Sequence, residues 1–170
     1  MTGDPTTREP TSRQPASRRS IFRIGLAAVA VAQLFGRTAK AAESESSKKS
    51  HKVAIHVDKN DAATMRVALG NSRNAFELYT AQGDDIAIEI VCYSEGLHML
   101  RDDTSPVKDD IRATRQKVPQ LAFSACNNTK HAMERREGKI IPIIEEAVVV
   151  PAGVVRLIDL QEQGFKYIKP

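Results

Sequence analysis

One cysteine stands where thiolate chemistry is favoured. Cys126 closes the apolar run 120–126 and is followed at once by Asn127, Asn128 and Thr129, any of which can cap a helix. A helix start favours negative charge on a nearby group, because its first N–H groups are unpaired and its dipole is positive there. The placement predicts a nucleophilic thiolate at Cys126. The alternative is an inert cysteine that ends a buried strand, since free cysteine is among the most buried residue types.

The other cysteine, Cys92, lies inside the apolar run 86–93 and is predicted to pack in a core. A disulfide between Cys92 and Cys126 is conceivable in an oxidising compartment. If the first strand separates the second from the third, the two Cα atoms lie ~10 Å apart, beyond the ~7 Å that a bridge tolerates. We therefore expect no bridge between them.

Two histidines, His98 and His131, follow the second and third predicted strands and could approach Cys126 from neighbouring loops. A zinc site built from these three residues is one alternative, but their spacing matches no recognised zinc pattern. We expect surface or helix-packing roles for both histidines, and neither a metal nor a cofactor. His56 alternates with apolar neighbours in the first predicted strand, which favours a satisfied core or edge residue.

Alternating strand and helix patterns must position these residues. Alternating or continuous apolar runs predict strands at 52–58, 86–93, 120–126, 146–150 and 165–168, the last of them an edge strand. Helical spacing predicts helices at 62–82, from 94 through 100, at 106–117, from about 128 to 136, and from 153 through 160. Such alternation implies a mainly parallel sheet of about five strands with helices on both faces. The expected fold is a single small α/β domain of the flavodoxin-like or Rossmann-like kind.

In parallel sheets, ligands and chemistry gather beyond the carboxyl ends of the strands. Three segments fall there, at residues 58–61, 93–98 and 126–131. They contain Cys126 and the residues that we expect to bind a ligand around it. Those candidate binding residues are Asn127, Asn128, Thr129, Glu95, Gly96, His98 and His131.

Four segments follow, in order and spacing, a pattern that resembles the DsrE/DsrF-like family. They are Cys126-Asn-Asn-Thr129 after a strand, Val150-Pro-Ala-Gly-Val154, the ending Leu160-Gln-x-x-Gly-x-x-Tyr-Ile-Lys-Pro170, and Glu95-Gly-Leu-x-Met-Leu100 after the second strand. The ending is the most specific of the four. The resemblance covers residues 52–170.

This resemblance implies a homo-oligomeric α/β domain related to sulfur-relay proteins, some of which carry sulfur as a cysteine persulfide. The carrier cysteine of those proteins matches Cys126. Sulfur donor and acceptor proteins are then the expected partners. The rival hypothesis is a non-catalytic oligomeric module that binds a small ligand or a partner protein, and a third is a metal-binding protein that uses His98 and His131.

The apolar segment 140–144, Ile-Ile-Pro-Ile-Ile, independently favours an oligomer. Exposed apolar patches often mark interfaces, and a small domain could struggle to cover this one alone. The alternative is that these isoleucines cap the sheet internally.

Other enzyme classes lack a motif. The sequence contains no G-x-S-x-G elbow, no Walker loop and no G-x-G-x-x-G. Hydrolase, NTPase and dehydrogenase activities are therefore not predicted, and whether the protein is an enzyme stays open.

The first residues have the layout of an export signal. Arg18 and Arg19 precede the apolar run 24–35, and a small-x-small site ends at Ala41. The paired arginines resemble a twin-arginine signal, and the run is too short for a stable membrane anchor. We expect cleavage after Ala41, a flexible linker at 42–51, the folded domain at 52–170, and a periplasmic location.

Removal of that signal changes the charge argument. The full chain has 25 Lys and Arg against 21 Asp and Glu, but residues 1–41 hold seven of the basic and two of the acidic ones. The remainder has 18 basic and 19 acidic residues, a net charge near −1. The basic surface of a nucleic-acid-binding protein is therefore not expected.

Overall fold

The computed structural model describes residues 48–170. Arg18, Arg19 and the cleavage predicted after Ala41 lie outside these residues, as does most of the predicted linker. The strands are β1 (Ser50–Val57), β2 (Asp85–Cys92), β3 (Ala122–Cys126), β4 (Ala147–Val150) and β5 (Lys166–Ile168). The α-helices are α1 (Ala62–Ala81), α2 (Lys108–Lys117), α3 (Asn127–Glu137) and α4 (Gly153–Glu162), and a 3₁₀ segment spans Ser94–Leu100.

The five strands form one sheet in the order β4-β3-β2-β1-β5, and every neighbouring pair is parallel. The predicted α/β fold with a parallel sheet is confirmed. β1 begins at Ser50, inside the range that the sequence assigned to the linker. Within residues 48–170, no helix combines the length and the hydrophobicity of a membrane span.

The strand order corrects the argument about the cysteines. β2 and β3 are direct neighbours, with Cys92 opposite Ala125, so β1 does not separate them. Because successive side chains of a strand point to opposite faces, Cys126 points to the face opposite from Cys92. Both are free thiols. They do not meet because they lie on opposite faces of the sheet, and not because a third strand separates β2 from β3.

One face of the sheet carries most of the core. Apolar side chains of β1, β2 and β3 point to it and are covered by α1, α2, α3 and the 3₁₀ segment. Members from these elements include Ile55, Ile90, Phe123, Met65, Ile111, Met133 and Leu97. Cys92 belongs to this face and is fully buried.

The opposite face is covered by α4, whose Leu157 and Leu160 pack on Ala54 and Val91. Helices therefore lie on both faces, as predicted, but very unequally. Beside these apolar contacts the face holds a buried carboxylate, Glu89. The Arg156 guanidinium of α4 donates two hydrogen bonds to Glu89 at 2.7 Å, and the Ser124 hydroxyl donates a third at 2.6 Å. These bonds satisfy the charge that the strand buries.

The segment 140–144 is not the exposed patch that the sequence suggested. Ile141 and Ile144 are buried in the main core and Ile143 is half-buried, so Ile140, at 81% exposure, is the one isoleucine of the segment that faces solvent. The alternative, that isoleucines of this segment cap the core internally, holds for these two. Exposed aliphatic side chains instead gather on β4 and α4, and they are Val148, Val149, Val154, Val155 and Ile158. We call these five residues the β4–α4 patch.

Candidate functional site

Cys126 is the last residue of β3 and the N-cap of α3. The sequence predicted that any one of the three residues after it could cap this helix, but α3 already begins at Asn127 and none of them is the cap. The cysteine therefore sits one step closer to the helix start than the sequence indicated. Its side chain is only 5% exposed and points to the α4 face of the sheet.

The surroundings of Cys126 favour the thiolate. Burial by itself raises the pKa of the thiol, but the Thr129 hydroxyl and the backbone N–H groups of Gly153, Thr129 and Asn128 lie close to Sγ and together bring its pKa below the ordinary value. The thiol makes no regular capping hydrogen bond to α3, so this stabilisation comes from several converging donors. Cys92 has no such donors, and burial raises the pKa of its thiol strongly.

Two helix starts meet at this sulfur, because Gly153 is the first residue of α4. The backbone N–H of Asn128 bonds to the carbonyl oxygen of Pro151 at 3.3 Å and ties the two starts together. A methyl group added at Gly153 would lie 2.8 Å from Cδ1 of Tyr93 and 3.2 Å from Cβ of Cys126. Only glycine lets α4 approach this closely, so the residue Gly153 is part of the site.

Three of the predicted binding residues line a common cavity. Glu95, Asn128 and Thr129 border a space of about 340 Å³ between the 3₁₀ segment and α3. Arg136 also lines it and forms an ion pair with Glu95 at 3.2 Å. Ser94 has a φ of 51°, which is unusual for a residue other than glycine, and its backbone N–H donates to the Thr129 hydroxyl at 3.0 Å.

Two other predicted binding residues have different surroundings. Gly96 is buried against the end of β1, where an added methyl would lie 2.2 Å from the carbonyl oxygen of Val57. It serves close packing of the 3₁₀ segment on the sheet. Asn127 is half-buried at the start of α3 and does not border the cavity.

The two histidines have other partners. His98 bonds to the Thr104 hydroxyl at 2.8 Å and lies 3.6 Å from Glu95, while His131 bonds to Glu134 at 2.8 Å and is exposed. In the part of the chain that the structure describes, His, Cys, Asp and Glu side chains nowhere form a group of three that could hold a metal ion. The zinc hypothesis gains no support from this geometry.

Sequence reasoning missed a cluster beside Cys126. His56 is buried, bonds through Nδ1 to the Tyr167 hydroxyl at 2.8 Å, and stacks on the ring of Tyr93 with 4.4 Å between ring centroids. Lys169 donates to Asp58 at 2.6 Å next to it. Residues from the ends of β1 and β2 thus meet residues of the Tyr-Ile-Lys ending, and that motif was the one signal that could have drawn attention to them.

These features define a parallel α/β domain with a cysteine held between two helix starts. A solved structure similar to this chain is that of MTH1491, a protein of unknown function from Methanobacterium thermoautotrophicum. The two are 30% identical, the match covers 71% of this chain and 99% of the archaeal one, and the TM-score is 0.58. The chain therefore belongs to the same family as MTH1491. No family model matches the sequence, and a search of curated proteins found no match.

Proposed function

We propose that this protein handles sulfur and carries it as a persulfide on Cys126, as a member of the DsrE/DsrF-like family. The observation that carries the proposal is the meeting of two helix starts, α3 and α4, at the Cys126 sulfur. Backbone N–H groups fixed in this way favour a negative sulfur before and after it takes up a second sulfur atom.

The chemistry is a nucleophilic exchange at sulfur. The Cys126 thiolate attacks the outer sulfur of a sulfane-sulfur donor, an Sγ–S bond forms, and the donor's S–S bond breaks with its electron pair leaving on the inner sulfur. A second exchange, in which an acceptor thiolate attacks the outer sulfur on Cys126, passes that sulfur on. Because Cys126 is only 5% exposed, the donor must reach it with a small sulfur end rather than a bulky group.

Mass spectrometry after incubation with a sulfane-sulfur donor tests this proposal. We expect the protein to gain the mass of one sulfur atom on Cys126, and the Cys126→Ser variant to gain none. Cys92→Ser is the matched control and should gain sulfur as the wild type does, because Cys92 is fully buried and its thiol pKa is raised. A folded wild-type protein that gains no mass on Cys126 would contradict the proposal.

The same proposal includes export to the periplasm and assembly into a homo-oligomer with sulfur donor and acceptor proteins as partners. Export is supported by Arg18, Arg19 and the small residues that end at Ala41. Oligomerisation is supported by the exposed aliphatic side chains of the β4–α4 patch, since exposed apolar surface often marks an interface. N-terminal sequencing of periplasmic protein tests the export step, and a mature chain that still begins at Met1 would argue against it.

A second candidate is a non-catalytic binding module. The cavity of about 340 Å³ bordered by Glu95, Asn128 and Thr129 favours it, because a cavity of this size can hold a small ligand. This candidate predicts that the Cys126→Ser variant keeps full function in cells. The sulfur-carrier proposal predicts that the same variant loses it.

A further inference from the structure

The cluster beside Cys126 contains a hydroxyl that the proposed chemistry has not used. Tyr93 directly follows β2, and its backbone N–H donates to the carbonyl oxygen of Val57 at 3.3 Å, which fixes it at the carboxyl edge of the sheet. Its ring stacks on His56 on one side and lies against Gly153, which also contacts Cys126. The Tyr93 side chain is half-buried, so these contacts hold it in place while part of it stays accessible from solvent.

His56 is the buried ring on which the Tyr93 ring stacks. It is 5% exposed, and its Nδ1 is bonded to the Tyr167 hydroxyl, while its Nε2 is buried without a partner among the described residues. Burial lowers the pKa of His56, so the imidazole is neutral and provides a flat surface for the Tyr93 ring. The stack and Gly153 therefore constrain Tyr93 from two sides.

We propose that Tyr93 is the proton-transfer group of the sulfur site and that the sulfur donor is a low-molecular-weight persulfide, R–S–SH. This inference rests on the proposed function of Cys126. It assigns to one site a nucleophile on β3 and a hydroxyl donor on the segment after β2, two elements that pair side by side in the sheet.

The reaction balances without a further reagent. The Cys126 thiolate attacks the terminal sulfur of R–S–SH, the Sγ–S bond forms, and the donor's S–S bond breaks with its electron pair on R–S⁻. The Tyr93 hydroxyl gives its proton to R–S⁻ and takes up the proton of the terminal sulfur. The products are R–SH and the Cys126 persulfide anion, and Tyr93 ends protonated as it began. Protonation assists because a thiolate leaves less readily than a thiol that acquires its proton as the bond breaks.

The charges around Tyr93 suit this role. Burial raises the pKa of the Tyr93 hydroxyl, the negative charge of Asp58 raises it further, and Lys169 opposes the rise. The pKa of Cys126 is shifted the other way, which favours loss of the proton from the thiol while the hydroxyl keeps its own. Neighbouring groups whose pKa values are driven apart are typical of an acid and a nucleophile that act together.

The test compares Tyr93→Phe with the wild type, using glutathione persulfide as the donor and quenched mass spectrometry of Cys126 as the readout. Phenylalanine keeps the ring, the stack on His56 and the contact with Gly153, and removes only the hydroxyl. We expect the rate of sulfur uptake at neutral pH to fall about a hundredfold. Tyr167→Phe is the matched control, because it removes the hydroxyl on the far side of His56, and it should keep the wild-type rate within a few-fold.

The pH dependence gives a readout that a purely structural role would not change. Ionisation of the donor affects both proteins alike, so the ratio of wild-type to Tyr93→Phe rates isolates the hydroxyl. That ratio should fall towards one at alkaline pH, where Tyr93 loses its proton. A ratio near one at neutral pH, or equal losses in Tyr93→Phe and Tyr167→Phe, overturns the inference and leaves the proposed function standing. A wild-type protein that takes up no sulfur overturns both.

Discussion

At the scale of single residues, the two cysteines show how position alone shifts the pKa of a thiol in opposite directions. Cys92 and Cys126 lie on adjacent strands one residue apart in register, and both are largely buried. One points into the main apolar core, where burial raises its pKa. The other points to the opposite face, where the Thr129 hydroxyl and the N–H groups at the starts of α3 and α4 outweigh burial and lower its pKa. The two thiols differ in this way because Ala125, opposite Cys92, and the next residue of β3, Cys126, point to opposite faces of the sheet.

His56 predicts an acid-sensitive stability. Burial lowers its pKa below 6.5, the value expected in the unfolded chain, so below about pH 6.5 the unfolded state binds more protons than the folded state. The contribution of neutral His56 to the free energy of unfolding is complete above that pH and is lost as the pH falls. We expect the melting temperature of the wild type to fall more steeply than that of His56→Gln between neutral pH and pH ~5.

Tyr167→Phe serves as the control for this pH dependence, because it removes the same hydrogen bond and keeps the titrating imidazole. It should keep the wild-type slope of melting temperature against pH. Parallel slopes for the wild type and His56→Gln would mean that His56 does not titrate differently on unfolding.

The sequence indicates Cys126 and the cavity residues Glu95, Asn128 and Thr129 because they lie at the end of a predicted strand or within three residues after one. It does not indicate the stack of His56, Tyr93 and Tyr167. That stack depends on β5 lying beside β1, and residues 111 apart in the chain carry no local pattern that reveals their contact.

At the scale of elements, strand alternation was enough to predict the fold class but not the strand order. Right-handed crossovers are compatible with several orders of five parallel strands. The assumption that β1 lies between β2 and β3 was wrong for this reason, whereas the positions of the strands and helices along the chain agree closely with the periodicity.

Gly96 tests the packing of the 3₁₀ segment on β1. A methyl group there would lie 2.2 Å from a backbone oxygen, which cannot move cheaply. We expect Gly96→Ala to lower the free energy of unfolding by about 1–3 kcal/mol or more, measured by urea denaturation. Gly70→Ala is the matched control.

Gly70 lies inside α1, and the nearest atom to an added methyl is a guanidinium nitrogen of Arg73 at 3.9 Å. Alanine there should raise the free energy of unfolding by about 0.5–1 kcal/mol, because glycine is unfavourable inside a helix. Equal destabilisation by both substitutions would contradict the close packing described at Gly96.

The predicted final strand exists as β5, paired with β1. Tyr167 and Ile168 remain 44% and 40% exposed, so their burial contributes less than that of fully buried side chains. Deleting residues 165–170 should still lower the melting temperature markedly, because it removes the pairing with β1 and the hydrogen bonds to His56 and Asp58. A variant that lacks only Pro170 is the control, and an unchanged melting temperature in the longer deletion would show that β5 contributes little.

At the scale of the whole molecule, the uneven covering of the sheet locates the proposed oligomer interface. The helix α4 lies on the thinly covered side, and on the edge strand β4 the exposed Val148 points to that same side because it pairs with Ser124. Aspartate at Ile158 or Val148 should therefore dissociate a homo-oligomer, because it places a charge in an apolar contact.

Light scattering at micromolar concentration checks this prediction. Ile140→Asp is the matched control, since Ile140 is even more exposed but lies outside the β4–α4 patch, and it should keep the wild-type mass. A monomeric wild type would contradict the oligomer itself, and a change caused only by Ile140→Asp would move the interface to the segment 140–144.

The neighbouring positions of β1 and β5 have a consequence for synthesis on the ribosome. Three hydrogen bonds join these two strands and their flanks, and each connects residues 111 apart. Lys52 donates to the Gln163 carbonyl, Lys169 donates to Asp58, and His56 bonds to the Tyr167 hydroxyl. β1 emerges before the other four strands and β5 after them, so the outer edge of β1 stays unpaired through most of translation. Unpaired strand edges readily join other chains. A nascent chain stalled before residue 165 therefore exposes the outer edge of β1 to edge-to-edge association with other chains.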